Sequence, residues 1–85
     1  MPKHSHVRDA VALMLLAERK RRKITQKELA NRLGWDANSL WKLERFERGV
    51  QVTELYEFAI ALGIEPSKLF ADAVATIEAE ISKSK

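Results

Sequence analysis

Eighty-five residues without a cysteine make one small domain that neither a disulfide nor a cysteine-based metal site can staple, so a helical fold with short connections is the economical solution. An apolar content of 46% argues against full disorder, no apolar run approaches a membrane span, and MPKHSHVRD is too polar to open a signal peptide, so a soluble cytoplasmic protein is expected. The net charge of +3 is modest but unevenly spread: residues 1–23 carry seven Lys or Arg against two acids, and residues 49–85 carry three against six. One end of the sequence can therefore meet phosphate while the other avoids it, the plain alternative being charges that only solvate helices.

Residues 1–5 read as a loose tail. His4 and His6 lack a nearby cysteine or clustered acids, so no metal site is expected there. A first helix is predicted from about His6 to Arg22, with Val7, Ala10, Val11, Met14, Leu15 and Leu16 as its apolar stripe. It ends in the basic block Arg19–Lys23, RKRRK, whose side chains suit phosphate contacts that give affinity with little base specificity.

The stretch Thr25 to Glu44, TQKELANRLGWDANSLWKLE, reads as two short helices joined by a tight turn. Thr25 is a good N-cap, and Glu28 three residues later completes a capping-box pattern, so a helix should start at Gln26. Leu29, Ala30 and Leu33 supply its inner face, and Gly34 ends it where a left-handed backbone conformation is cheap. Asp36 caps the next helix, Leu40 and Leu43 face inward, and Ala37, Asn38, Trp41 and Lys42 are left on the other side.

RFERGVQV supplies a turn, and a fourth helix follows from about Thr53 to Leu62, burying Leu55, Phe58, Ala59 and Leu62 with Tyr56 at the border. Gly63 should end it, Ile64 re-enters the core, and Pro66 starts a fifth helix near its first position. In that helix Leu69, Phe70, Ala73, Val74, Ile77 and Ile81 form a stripe. It can pack onto its own domain or form a dimer seam, and Phe70, Val74, Ile77 and Ile81 are the candidates for the seam.

LLAERKRRKITQKELANRLGWDANSLWKLE, followed by VTELYEFAIALGI, closely resembles the lambda-repressor-like helix-turn-helix family, also called the Cro/CI or XRE type. The resemblance covers roughly residues 7–70, with TQKELANRLG its most specific part. It implies an all-α, compact five-helix domain over residues 6–70; residues 71–85, outside the resemblance, are expected to continue the last helix as a possible dimerisation element. It also implies a sequence-specific, commonly dimeric transcriptional regulator of double-stranded DNA that needs no cofactor. A dimer would prefer a roughly palindromic operator, and repression is the expected outcome where that operator overlaps polymerase-binding sequence, with activation the alternative.

By the same resemblance, Gln26 matches a phosphate-contacting Gln that braces the start of the recognition helix, and Ala30 the small residue where the two helices approach. Arg19 and Glu44 match a salt bridge between the first helix and the end of the recognition helix. Ala37, Asn38, Trp41 and Lys42 fall on the base-reading surface: Asn suits adenine, Lys suits guanine and Ala a thymine methyl. Trp41 is bulky for its position, and contact with another protein region or packing at the domain edge are its alternatives. Arg21, Arg22, Lys23, Arg45 and Arg48 are candidate phosphate contacts.

Two departures from the family pattern stand out, Lys23 and Phe46, each at a turn position often held by glycine. Phe46 is expected either to reshape its turn or to plug it against the last helices. The other functional class in view is a protein-interaction module, such as an antitoxin-like or accessory factor that binds a regulatory protein partner. An enzyme is not expected, since no glycine-rich phosphate cradle, metal cluster or nucleophile arrangement appears.

Overall fold

The computed structural model describes residues 4–83. Five helices follow one another: α1 His4–Arg21, α2 Gln26–Leu33, α3 Ala37–Glu44, α4 Val52–Leu62 and α5 Pro66–Lys83. All of the described regular structure is helical, so the fold is all-α. The long α1 and α5 pack on each other, and α2, α3 and α4 fill in around them.

At the core six large side chains are almost wholly enclosed: Leu15, Leu29, Leu40, Leu43, Phe58 and Leu69. One comes from α1, one from α2, two from α3, one from α4 and one from α5, so each helix is tied to a common centre. Burial of a leucine or phenylalanine stabilises by roughly 1.5–3 kcal/mol. Trp35, in the turn between α2 and α3, meets Phe58 edge-to-face at 5.4 Å and closes one end of this centre.

The first helix begins at His4, two residues before the expected start, so His4 and Ser5 belong to its first turn and not to a tail. The rest of the expected tail, residues 1–3, lies outside the described residues. Its buried face also differs from the expected stripe. Val11, Ala12, Leu15, Glu18 and Arg19 are buried, whereas Val7, Ala10 and Leu16 are half-buried. That spacing is helical, but its C-terminal end carries charged residues, so an apolar pattern alone drifts towards Val7 and misses Ala12.

Four helix ends share one backbone closure, in which one residue just past the end bonds back three positions and the residue after it bonds back five. After α1, Ile24 N donates to the Arg19 carbonyl and Lys23 N to Lys20. After α2, Trp35 N donates to Ala30 and Gly34 N to Asn31. Glu47 N donates to Lys42 and Phe46 N to Leu43 after α3, and Ile64 N to Ala59 and Gly63 N to Ile60 after α4. This is the Schellman arrangement, which needs a left-handed residue at its centre.

Glycine fills that position at Gly34 and Gly63, with φ of 74° and 75°. Lys23 and Phe46 fill it at φ of 59° and 65°. Phe46 therefore keeps the turn in the glycine-like conformation and does not reshape it, at a cost on the order of 1–2 kcal/mol for a residue with a Cβ. Its ring is partly exposed and borders a shallow cleft with Ala10 and Leu13 of α1 and Glu80 of α5.

The caps explain the remaining boundaries. The Thr25 hydroxyl accepts from Glu28 N at 3.0 Å, and the Asp36 carboxylate accepts from Ser39 N at 2.8 Å. Only half of the expected capping box is used at α2, because the Glu28 carboxylate is taken by Arg32 at 2.8 Å. Glu65 caps α5, accepting from Ser67 N at 3.0 Å and Lys68 N at 3.3 Å as well as from the Ser67 hydroxyl. The Ser67 hydroxyl first, and then those backbone N–H groups, hold its carboxyl below the ordinary carboxylate range.

The apolar stripe of α5 divides into two lanes. Leu69 and Ala73 are buried and Ile77 packs against the core, whereas Phe70, Val74 and Ile81 are exposed. Ile77 is half-buried: it packs against the core and also lines the groove that Phe70 and Val74 border.

Candidate nucleic-acid interface

The site is built on α3, whose orientation is fixed from its two ends. At the N-terminal end, the αL turn at Gly34 and the Asp36 cap start the helix after only three intervening residues, Gly34, Trp35 and Asp36. On its inner side Leu40 and Leu43 are almost wholly enclosed. At the C-terminal end, Glu44 receives Arg19 in a two-pronged pair, Nε to Oε2 at 2.7 Å and Nη2 to Oε1 at 2.9 Å. The third arm of the same guanidinium, Nη1, donates to the Ile24 carbonyl at 2.7 Å.

Gln26 joins this cluster, its Nε2 donating to Glu44 Oε1 at 2.6 Å. Its brace is therefore on the end of α3 and not on the start. The side chains of Arg19 and Glu44 are only 10% and 7% exposed, so the pair sits in a poorly solvated place where its bonds are fully used. Such a pair costs desolvation to form, and its value lies in fixing one geometry.

With those anchors in place, Ala37, Asn38, Trp41 and Lys42 are all exposed, together on the outer side of α3. Trp41 is 43% exposed and does not pack into the domain edge. The Arg45 guanidinium lies 4.5 Å from the centre of its ring and also donates from Nε to Glu47 at 3.0 Å. This outer face therefore combines an amide, an ammonium, a guanidinium and an indole on one short helix.

The remaining cations are arranged unequally. Lys23 is exposed in the turn between α1 and α2. Arg21 and Arg22 are exposed too but share the buried Glu18, Arg21 at 3.0 Å and Arg22 through a closer contact. Glu18 was legible as a partner in principle, since it lies three and four residues before them on one helix face. Arg48 turns inward: both Glu54 oxygens accept from its Nη2, at 3.0 and 2.8 Å, and its guanidinium covers Trp35 at 4.9 Å.

A further residue holds the site without having stood out in the sequence. Arg8 donates from Nη2 to the Phe46 carbonyl at 3.0 Å. Its stem lies over Gly49 so closely that a Cβ there would come within 2.8 Å of the Arg8 Cδ. The first turns of α1 thus clamp the turn that leaves α3. Because the partners are 38 residues apart, no local spacing announces the contact.

A helix-turn-helix family model matches residues 15–69, from the middle of α1 to the first turn of α5. The chain belongs to the lambda-repressor-like, XRE-type helix-turn-helix family. In this helix-turn-helix, α2 and α3 are the paired helices and α3 occupies the place of the recognition helix. Membership makes it a DNA-binding regulator acting on double-stranded DNA. Comparison with curated proteins gave no match to the chain. Among the described residues no helix is long and apolar enough to cross a membrane.

The Arg19 cluster can be tested apart from DNA. Arg19→Met leaves Glu44 enclosed without its cation and should lower unfolding free energy by about 3 kcal/mol or more. Arg19→Met combined with Glu44→Leu should recover much of that loss. Urea denaturation of the two variants measures both, and a loss below about 1 kcal/mol for the single variant would show that solvent already screens the pair.

Proposed function

We propose that the protein is a sequence-specific transcriptional repressor that binds a roughly palindromic operator as a homodimer, with α3 of each subunit in the major groove. The observation that carries this reading is the division of α3. Leu40, Leu43 and Glu44 are locked to the domain, while Ala37, Asn38, Trp41 and Lys42 are left free on a rigid helix. Rigid presentation matters because base contacts reward only side chains already held near the base edges.

Asn38 pairs with adenine, Lys42 donates to guanine and Ala37 meets a thymine methyl. Gln26, Lys23, Arg21 and Arg22 hold the sugar-phosphate backbone and set the register. Arg21 and Arg22 do so while sharing Glu18, which lowers their free positive charge. Arg48, held by Glu54 and Trp35, serves the fold better than the phosphates. Repression follows where the operator overlaps sequence that polymerase must occupy, and a cytoplasmic location fits a protein that works on DNA beside polymerase.

The second subunit is supported by the exposed lane of α5. Phe70 and Val74 border an apolar groove of about 310 Å³ that Val7, Val52 and Leu55 also line. A second copy docking there through Phe70, Val74 and Ile81 supplies the second recognition helix, which adjacent half-sites require about one DNA turn, roughly 34 Å, from the first. Phe70 is 52% exposed, so Phe70→Glu should leave the fold intact and convert a sedimenting dimer to monomer. A wild-type protein that sediments as a monomer with and without DNA would contradict the dimer.

Competition binding against randomised duplexes at several salt concentrations tests the main reading. Asn38→Ala or Lys42→Ala should relax preference at one base position, by about 1–3 kcal/mol for each lost contact, with little change in nonspecific affinity. Arg21→Gln with Arg22→Gln should weaken binding to every sequence and flatten the salt dependence. Salt-insensitive or undetectable binding by folded protein would sink the proposal.

A further inference from the structure

Asn38, Trp41, Lys42 and Arg45 stand at spacings of three, four and seven, which puts all four on one stripe of a helix. Seven helical residues advance about 10 Å, close to three base-pair steps of about 3.4 Å each. Arg45, the residue that caps α3, therefore ends the stripe that Asn38 begins and does not stand apart in the turn.

Its side chain is also prepared in a way that a phosphate contact does not require. The guanidinium lies over the Trp41 ring at 4.5 Å, where the negative face of the indole attracts the cation and holds it near the helix. Glu47 takes the Nε edge at 3.0 Å. What remains is the terminal pair, Nη1 and Nη2, which have no hydrogen-bond partner among the described residues. Two parallel donors in one plane match the O6 and N7 acceptors that guanine presents in the major groove.

Arg48 shows the same device closed off. It too lies over an indole, that of Trp35, but both Glu54 oxygens accept from its Nη2, and its Nη1 is buried without a hydrogen-bond partner among the described residues, so neither terminal nitrogen is open to a ligand. Only the Trp41–Arg45 pair is left open, and it is on the recognition helix.

We propose that Arg45 reads a guanine in the major groove and that Trp41 is the positioning residue that holds its guanidinium for that contact. This rests on the DNA-binding reading above and moves Arg45 from the phosphate contacts to the base-reading stripe. It also gives the bulky Trp41 a function on the recognition helix.

Preferred sites are selected from random duplexes with the full chain and with Arg45→Lys, Arg45→Ala, Trp41→Ala and Trp41→Phe, and nonspecific binding is followed against salt. The wild type should prefer guanine at one position of each half-site. Arg45→Lys and Trp41→Ala should each lower that preference about tenfold or more while the other positions keep theirs. Trp41→Phe, which keeps an aromatic face, should retain most of it, and circular dichroism should give the wild-type helix content for every variant. Sequence-specific wild-type binding that ignores Arg45→Lys and Trp41→Ala overturns this assignment alone. A flatter salt dependence in Arg45→Ala with unchanged base preference overturns it in favour of a phosphate contact. Undetectable wild-type binding overturns the DNA-binding reading and this assignment together.

Discussion

The guanidinium of Arg19 joins three segments that are distant in the chain: its own helix, the turn at Ile24 and the end of α3 at Glu44. Apolar packing of Leu40 and Leu43 gives α3 a buried side but leaves it free to rotate or slide by small amounts, since dispersion and burial are weakly directional. A two-pronged pair to Glu44 is directional. With Gln26 on the same carboxylate, the start of α2, the end of α1 and the end of α3 share one hydrogen-bonded centre. Everything on the outer side of α3 depends on that centre for its position.

The turns impose the second constraint. Each of the first four helices ends in a left-handed closure, and two of these closures use residues that carry a Cβ. Both are held by an arginine from α1, though at different atoms: Arg19 bonds the Ile24 carbonyl next to Lys23, and Arg8 bonds the Phe46 carbonyl itself. The Arg19 bond is buried, and a hydrogen bond from a charged donor contributes about 1.5–3 kcal/mol, comparable with the backbone cost of a non-glycine residue in this conformation; the Arg8 bond is exposed and contributes less. Strain at Lys23 is thus offset locally and that at Phe46 in part, and α1 acts as the brace for both ends of the paired helices.

Local chemistry made much of this legible in advance. Thr25, Gly34, Asp36, Gly63 and Pro66 mark helix boundaries by mechanisms confined to a few residues, and the boundaries of α2 and α3 follow from them. The inward leucines of α2 and α3 were readable from spacing, as was the burial of Phe58 in α4. The face of α1 was not, because Glu18 and Arg19 occupy positions that an apolar pattern assigns to solvent. The two lanes of α5 were equally hidden: Phe70 and Leu69 are adjacent and alike in hydropathy, and only packing against α1 and α4 decides which is covered. For the interface, the exposed set on α3 was readable from what its leucines left over. Arg8 and the inward turn of Arg48 depend on contacts that only the folded chain creates, whereas the stacking of Arg45 on Trp41, four residues apart, was open to a reading of helical spacing.

The central claim is that α3 presents its outer face to a duplex while α1 holds it in place. Amide chemical shifts of labelled protein, titrated with a duplex selected from random sequence, test this most directly. The largest changes are expected from Gln26 and from Ala37 through Arg45, with smaller changes along Arg21–Lys23. Unmoved amides in Ala37–Arg45, with the largest changes in Phe70–Ile81, would contradict it.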